Sequence, residues 1–250
     1  MFNPEKETEK IIEYIRNYYK ENNIKGAVIG ISGGKDSGVV AGLFAKALGP
    51  ENVVGVTMPC ESTDKDRQDA KLVADKYGFE LINIDLTDTY HTYLKQYEQF
   101  NQNNDIYIDS NINLKPRLRM STLYYVAAMY TKIKQGTYIV AGTSNKSEAF
   151  VGYFTKGGDS VCDIKVISDL TVSEVIKVGE VLEVPKEVLY KAPSDGLSGK
   201  TDEDKLGVTY EDIEKYMNNE ELPEETKKRI EHLHKSTRHK FNIPEYLKWK

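Results

Sequence analysis

Apolar and polar positions follow two periods along this chain, and the two periods take turns. From Pro4 to Asn22, Ile11, Ile12, Ile15, Tyr18 and Tyr19 recur at helical spacing, which predicts an amphipathic helix. Lys25 to Ile31 is a short apolar run that reads as a buried strand. Ser37 to Leu48 predicts a second helix, stopped by Gly49-Pro50. Val53 to Met58 is the next strand, and Asp64 to Tyr77 a helix with Leu72, Val73 and Tyr77 on its apolar face. Phe79 to Leu86 alternates as a strand does. Thr87 to Phe100 predicts a helix, "NQNNDIYIDSNIN" a polar loop, Leu118 to Ile133 a long apolar helix and Thr137 to Ala141 a fourth strand.

Strands that alternate with helices imply right-handed crossovers and a parallel sheet, so the predicted class is α/β, Rossmann-like, with helices flanking the sheet. In such sheets ligands bind at the carboxyl ends of the strands. Two segments rich in chemistry, "GISGGKDS" and "AGTSNKSE", both fall at that edge. After Phe150 the alternation fades. "GYFTKGGDSVCD" reads as a mobile Gly-rich stretch, Thr171 to Leu182 as a helix and "YKAPSDGLSGKTDEDKLG" as turns. Short charged helices are predicted near Tyr210 to Met217 and Pro223 to His234. No repeat or linker divides residues 1–250, which read as one domain with C-terminal helices.

Composition narrows the partners. With 39% hydrophobic and 29% charged residues the chain reads as globular and soluble, and a net charge of −5 argues against a dedicated nucleic-acid binder. No run of about 18 apolar residues predicts a membrane span. The N-terminus, "MFNPEKETEK", is unlike a secretory signal. Cys60 and Cys162 form no CxxC pair and read as free thiols of a reducing cytoplasm.

The segment Gly30-Ile31-Ser32-Gly33-Gly34-Lys35-Asp36-Ser37 joins a strand to a helix. It fails the Walker pattern, which needs glycine at position 35, and the dinucleotide fingerprint, which needs glycine at 32. What remains is Ser-Gly-Gly-x-Asp-Ser. Glycines let backbone N–H groups approach oxyanions, serines add hydroxyls, and the following helix contributes positive charge at its N-terminus. Lys35 can neutralise phosphate if it points inward. Asp36 alone would repel phosphate, and makes sense as a holder of Mg²⁺.

This loop resembles the pyrophosphate loop of N-type ATP pyrophosphatases (adenine nucleotide alpha hydrolase-like fold). Five further stretches, "LKPRLRM", "AGTSNKSEAFVGYFTKGGD", "KAPSDGL", "KTDEDKLGVTY" and "STRHK", occur in that order. Together with the loop they look like the NAD synthetases, from Gly30 to Lys240. The resemblance implies ammonia-dependent amidation of deamido-NAD to NAD, the final step of NAD biosynthesis. ATP is cosubstrate and Mg²⁺ cofactor, and an acyl-adenylate forms before AMP is displaced. It places ATP on Gly30 to Ser37, Thr143 and Ser194, and Mg²⁺ on Asp36 and Glu148. It assigns deamido-NAD to Arg117, Lys156, Asp163, His239 and Lys240, with Arg119 free to face elsewhere. It gives Asp159 a part in receiving ammonium. It further implies a cytoplasmic homodimer, and the short stretch before the first strand leaves no room for a fused glutaminase domain.

One departure stands out. Family members often carry Thr-Lys where this chain has Thr171-Val172, and that lysine is expected to touch phosphate. Lys165 or Lys35 could compensate. Two other readings compete: a tRNA-modifying ATP pyrophosphatase and a non-catalytic nucleotide-binding module. The acidic balance and missing CxxC count against the first, and the Asp36–Glu148 pair against the second.

Overall fold

The computed structural model describes residues 2–62, 64–97, 108–191 and 201–241. Its centre is a five-stranded sheet in the order β3-β2-β1-β4-β5, with β1 Ile24–Gly30, β2 Val53–Thr57, β3 Glu80–Asn83, β4 Thr137–Gly142 and β5 Ile164–Lys165. Every pairing is parallel. β2 is buried at all five positions and β1 at its four central ones, as expected of strands covered on both faces.

Alternation along β1 divides two cores. Ala27 and Ile29 point to one face, against α1 (Pro4–Glu21), α2 (Lys35–Leu48), α3 (Asp64–Tyr77), α7 (Val172–Val181) and α8 (Lys186–Leu189). Val28 points to the other, with Val54, Val56 and Val140, against α4 (Thr87–Lys95) and α5 (Ile108–Ile133). A third, satellite core lies beyond the sheet. It is made by Val151 of α6 (Lys146–Val151), Leu206 of α9 (Asp202–Leu206), Ile213 of α10 (Tyr210–Met217) and Ile230 of α11 (Glu224–Thr237).

β1 runs to β2 and β3 on one side, while β4 and β5 lie on its other side. The topological switch point therefore falls between β1 and β4, and the crevice beyond their carboxyl ends is where such sheets bind ligands.

Most predicted elements are present within two residues of their expected ends, and the helix over Asp64–Tyr77 matches at both. α4 ends at Lys95 rather than Phe100 (residues 98–100 lie outside the described residues), and the last long helix runs on to Thr237; four further differences have physical causes. The strand expected over Phe79–Leu86 is only Glu80–Asn83, because its partner β2 ends at Thr57; beyond it the Ile84 and Leu86 N–H groups donate to the Thr57 and Pro59 carbonyls at 2.9 and 2.8 Å before α4 begins. Part of the expected polar loop is helical, since α5 begins at Ile108. Its early turns are held by tertiary contacts: buried Lys115 pairs with Glu61 at 2.6 Å and lies over the Tyr90 ring, while Leu114 and Leu118 pack on the second core. Pro116 stays inside this helix and lines the crevice with Ile112, whose carbonyl it cannot serve. The Gly-rich stretch after Phe150 folds as hydrogen-bonded turns, including Gly158 N–H to the Thr155 carbonyl (3.0 Å) and Val161 N–H to Gly158 (3.0 Å). Lastly, β5, α6, α8 and α9 were not foreseen; each spans six residues or fewer, too few to show a period.

Candidate active site

A cavity of about 920 Å³ opens at the switch point. The segment from Gly30 to Ser37 and the residues Gly142, Thr143, Ser144 and Glu148, from the loops that follow the neighbouring strands β1 and β4, form adjoining walls. The N-terminal turns of α5, the turns from Gly152 to Cys162 and the start of α9 close the rest. Lys35, Arg67, Arg119, Lys191, Lys205 and Lys240 share this lining with Asp36, Asp66, Glu148, Asp159 and Asp202. Cations and carboxylates in one cavity suit a polyphosphate carried with a divalent ion.

The loop is shaped by its own side chains. Ser37 Oγ accepts from Ser32 N–H (3.2 Å) and donates to the Gly34 carbonyl (3.0 Å), while Ser32 Oγ accepts from Gly34 N–H (3.2 Å). Gly33 has φ +79°, and a Cβ there would meet the Asp66 carbonyl at 2.5 Å. Only glycine fits that position, so the loop lies directly on the first turn of α3. Gly34 is the N-cap of α2 and provides no side-chain cap, so the first turn of α2 presents its N–H groups without a side-chain acceptor.

Where these two walls meet, Asn145 ties them together. Its Nδ2 donates to Asp36 Oδ1 at 2.9 Å, and its Oδ1 caps α6 by accepting from Glu148 N–H at 3.0 Å. Glu148 Oε2 accepts from Asn145 N–H at 3.4 Å, completing a capping box. Its recessed position and the nearby Asp36 carboxylate push the Glu148 carboxyl well above the usual range, with Lys35 pulling the other way. Asp202, 7% exposed, accepts from Tyr153 Oη at 3.0 Å. Burial raises it too, Asp36 adds to that rise, and Tyr153 and Lys35 oppose it. Asp36 and Glu148 are joined through Asn145 and line one cavity with Asp202, although no three carboxylates of the described residues come together as a metal-holding group, so an ion there would take its remaining ligands from phosphate oxygens and water. Hard oxygen donors of this kind fit Mg²⁺.

Of the residues expected from sequence, Gly30, Ile31, Ser32, Gly34, Lys35, Asp36, Ser37, Thr143, Glu148, Asp159 and Lys240 line the cavity. Gly33 supports it from behind. Asp159 Oδ1 accepts from Thr155 N–H (2.8 Å), and its recessed setting raises its carboxyl. Lys240 donates to the Gly152 and Phe154 carbonyls, both at 2.7 Å, and so pins the C-terminal turn to the cavity rim.

Four expected residues lie outside the lining. Arg117 is exposed and leans on the Lys156 carbonyl (3.3 Å), and Lys156 in turn donates to the His239 carbonyl (3.0 Å). Asp163 spends its oxygens on Tyr124 (3.1 Å) and on Val140 N–H (2.8 Å), which ties down the end of β4. Ser194 lies outside the described residues.

Arg119 faces inward instead of Arg117. It donates to the Met58 carbonyl (3.2 Å), and burial lowers its affinity for its proton. Two apart on a helix means opposite faces, and the sequence alone does not say which face looks in. Asn145 and Asp202 were also missed as site residues, although "AGTSNKSE" and "KTDEDKLG" contain them. Val172 is buried in the satellite core, and Lys165 is exposed and outside the cavity lining, so of the two proposed substitutes only Lys35 is in place.

Fold and cavity define a class first: an α/β protein with a glycine- and serine-rich loop at its topological switch point, beside recessed carboxylates. The family follows from similarity to known proteins. The chain belongs to the NAD synthase family, whose model matches residues 7–244. It is 41% identical over 250 residues to the NH(3)-dependent NAD(+) synthetase of Alkaliphilus oremlandii, covering 97% of this chain and 96% of that one. It is 38% identical to the corresponding enzyme of Carboxydothermus hydrogenoformans, covering 97% of both. Among solved structures it resembles the NMN synthetase of Francisella tularensis, with TM-score 0.89 and 33% identity over the whole of both chains. It also resembles the NH3-dependent NAD synthetase of Campylobacter jejuni, with TM-score 0.79 and 29% identity over 99% of this chain and 100% of that one.

Proposed function

We propose that this protein joins ammonia to the nicotinate carboxylate of deamido-NAD, using ATP, and releases NAD, AMP and pyrophosphate. The observation that carries this reading is the Asn145 bridge. It joins the phosphate loop at Asp36 to Glu148 on the adjoining loop, so a nucleotide held on the phosphate loop meets both carboxylates.

The nicotinate carboxylate attacks the α-phosphate of ATP, pyrophosphate leaves, and ammonia displaces AMP from the acyl-adenylate. The protein's task is to align two anions and neutralise charge on the leaving group. The first turn of α2, Ser32 and Ser37 bind phosphate oxygens, and Thr143 at the tip of β4 orients the nucleotide. Asp36 and Glu148 would hold Mg²⁺, which supplies positive charge to the phosphates when bound. Asp159, with its raised carboxyl, receives the ammonium ion or its proton. Arg117, Lys156, Asp163, His239 and Lys240 belong to the dinucleotide side, and Ser194 to ATP.

The same reading carries a single synthetase domain over residues 1–250, free ammonia as nitrogen donor, a cytoplasmic setting and a homodimer. Support for the dimer comes from α5, where Arg117, Ser121, Tyr125, Met129 and Ile133 recur every four residues and are all exposed. Arg117 at one end of that stripe would stand where a second copy meets the dinucleotide.

Incubation with deamido-NAD, ATP, Mg²⁺ and ammonium should yield NAD and AMP in equal amounts. ADP in place of AMP would sink the proposal. Asp36→Asn should lower turnover at least about a hundredfold by removing a charged ligand from the phosphate site. The likeness to the NMN synthetase favours a second acceptor, nicotinate mononucleotide. Parallel kcat/KM measurements with both nucleotides decide which is preferred.

A further inference from the structure

Asp69 is a carboxylate on the apolar face of its helix. It stands with Ala70, Val73 and Ala74 on the buried side of α3 and is only 4% exposed. A carboxylate so placed needs a charged partner. Lys191 is that partner: its Nζ donates to Asp69 Oδ2 at 2.6 Å and to Asp66 Oδ1 at 2.8 Å. The two aspartates lie three residues apart on α3, so they share a face. Lys191 reaches them from the chain just beyond α8, 122 residues after Asp69. Burial works against its ammonium, but the bonds to Asp66 and Asp69 outweigh it and hold the proton more tightly than in an ordinary lysine.

The bridge acts on the phosphate loop through the backbone. Gly33 rests on the two residues that Lys191 holds, since a Cβ there would meet the Asp66 carbonyl at 2.5 Å and Asp69 Cβ at 3.1 Å. Apolar contacts join the same elements deeper in the fold. A Cβ on Gly38 of α2 would meet Val184 and Val188, before and within α8, at 3.3 Å and Val73 of α3 at 3.6 Å. Lys191 is thus the polar end of the joint among α2, α3 and α8. Both Lys191 and Asp66 also line the cavity.

We propose that Lys191 is a positioning residue for the nucleotide: by clamping Asp66 and Asp69 it fixes the start of α3 as the seat of Gly33, and so holds the phosphate loop in its binding shape before a ligand arrives. Donors fixed in advance bind an anion without having to be reorganised. The proposal rests on the synthetase reading for its kinetic arm, while its binding arm needs only the loop. The rival role for a cavity lysine is direct contact with phosphate. The two roles give opposite signs when Asp69 is neutralised. A loosened clamp weakens anion binding, although a negative charge has left, whereas a released lysine strengthens it.

Pyrophosphate binding with Mg²⁺ present, measured by calorimetry on the full chain at fixed ionic strength, reads the sign without turnover. Lys191→Met and Asp69→Asn should each weaken it about tenfold. The double variant should also lose about tenfold rather than about a hundredfold, because all three variants break one clamp. In steady-state kinetics KM for ATP should rise about tenfold in each variant, while KM for deamido-NAD stays within about twofold. Tighter pyrophosphate binding by Asp69→Asn would make Lys191 a phosphate ligand and overturn the proposal, and additive losses in the double variant would overturn it too. A lysine that serves only the fold would lower the melting temperature and leave pyrophosphate affinity and KM for ATP unchanged, which also overturns it. If Lys191→Met fails to fold, Asp66→Asn joins Asp69→Asn in the cycle and the same signs decide. Failure of the wild type to make NAD would overturn the synthetase reading and leave the pyrophosphate cycle to decide the clamp.

Discussion

Glu148 carries two duties that pull against each other. Its backbone and carboxylate complete the capping box of α6, and its carboxyl is held up by a recessed setting beside Asp36. A folded-state value raised above the unfolded one means the folded protein holds the proton longer. That contribution is fully present below the ordinary glutamate range and is lost as pH rises through the raised value. In the metal-free protein, Glu148→Gln removes the penalty and keeps an oxygen that can accept from Asn145 N–H. In EDTA at pH 7–8 the variant should melt about 2–4 °C above the wild type, and the gain should vanish as pH falls towards about 4. Thermal melts across pH read this directly, and a gain that persists at low pH would contradict the assigned cause. Activity should be lost in the same variant. At Gly33 the constraint is steric. Gly33→Ala sets a Cβ against the Asp66 carbonyl at a positive φ, so the loop must shift off α3. Its binding of ATP, measured by calorimetry, should weaken at least tenfold, whereas Gly157→Ala, strained by a φ of +74° but with no atom within 4 Å of the added Cβ, should weaken it less.

The long periodic elements were legible in the sequence because periodicity is an average over many residues. α1 and α10 show it clearly, whereas α3 turns the expected core residue Leu72 to solvent (42% exposed) and buries Asp69, Ala70 and Ala74 beside Val73; β1 and β2 stand out as unbroken apolar runs. Short elements carry no such average. α6 and α9 are instead announced by local chemistry, since Asn145 with Glu148 and Thr201 with Asp204 form capping boxes. The early part of α5 was hidden for a different reason. Its polar residues and Pro116 argue for a loop, and the helix there depends on Lys115 reaching Glu61 and on Leu114 and Leu118 meeting the sheet. The candidate site follows the same division. The loop at Ser32–Ser37 could be read from residue types alone, but the inward turn of Arg119 depends on the phase of α5 against the core. That phase also leaves Tyr125 72% exposed and Ile133 60% exposed, with Met129 between them. If they meet a second copy, Tyr125→Asp with Met129→Asp should convert a dimer to a monomer in analytical ultracentrifugation. The isolated subunit should keep its helical circular dichroism, since neither side chain belongs to a core.

At the scale of the whole molecule, the phosphate loop and the third carboxylate come from different cores. Asp36 and Lys35 stand on α2, which is rooted in the main core by Val39, Val40, Leu43 and Phe44. Asp202 and Tyr210 stand on the satellite core, held by Leu206, Ile213 and Ile230. The satellite core holds far fewer side chains than the main one and meets it along α7, where Ile176 packs on both and Ser173 N–H donates to Glu214 of α10 at 3.0 Å. The smaller core should therefore open at lower cost than the sheet. Ile230 is fully buried, and Ile230→Ala should cost about 2–5 kcal/mol, concentrated in residues 201–241. Amide exchange is the measurement that separates the two cores. In the wild type, ATP with Mg²⁺ should slow exchange in α9 and α10 as well as in the phosphate loop, because the ligand bridges both. In Ile230→Ala, exchange in α9 and α10 should be fast without ligand and recover only at higher ATP concentration, while β1 and β2 stay protected throughout. Equal loss of protection in β1 would show that the molecule opens as one unit and that the satellite core has no separate stability.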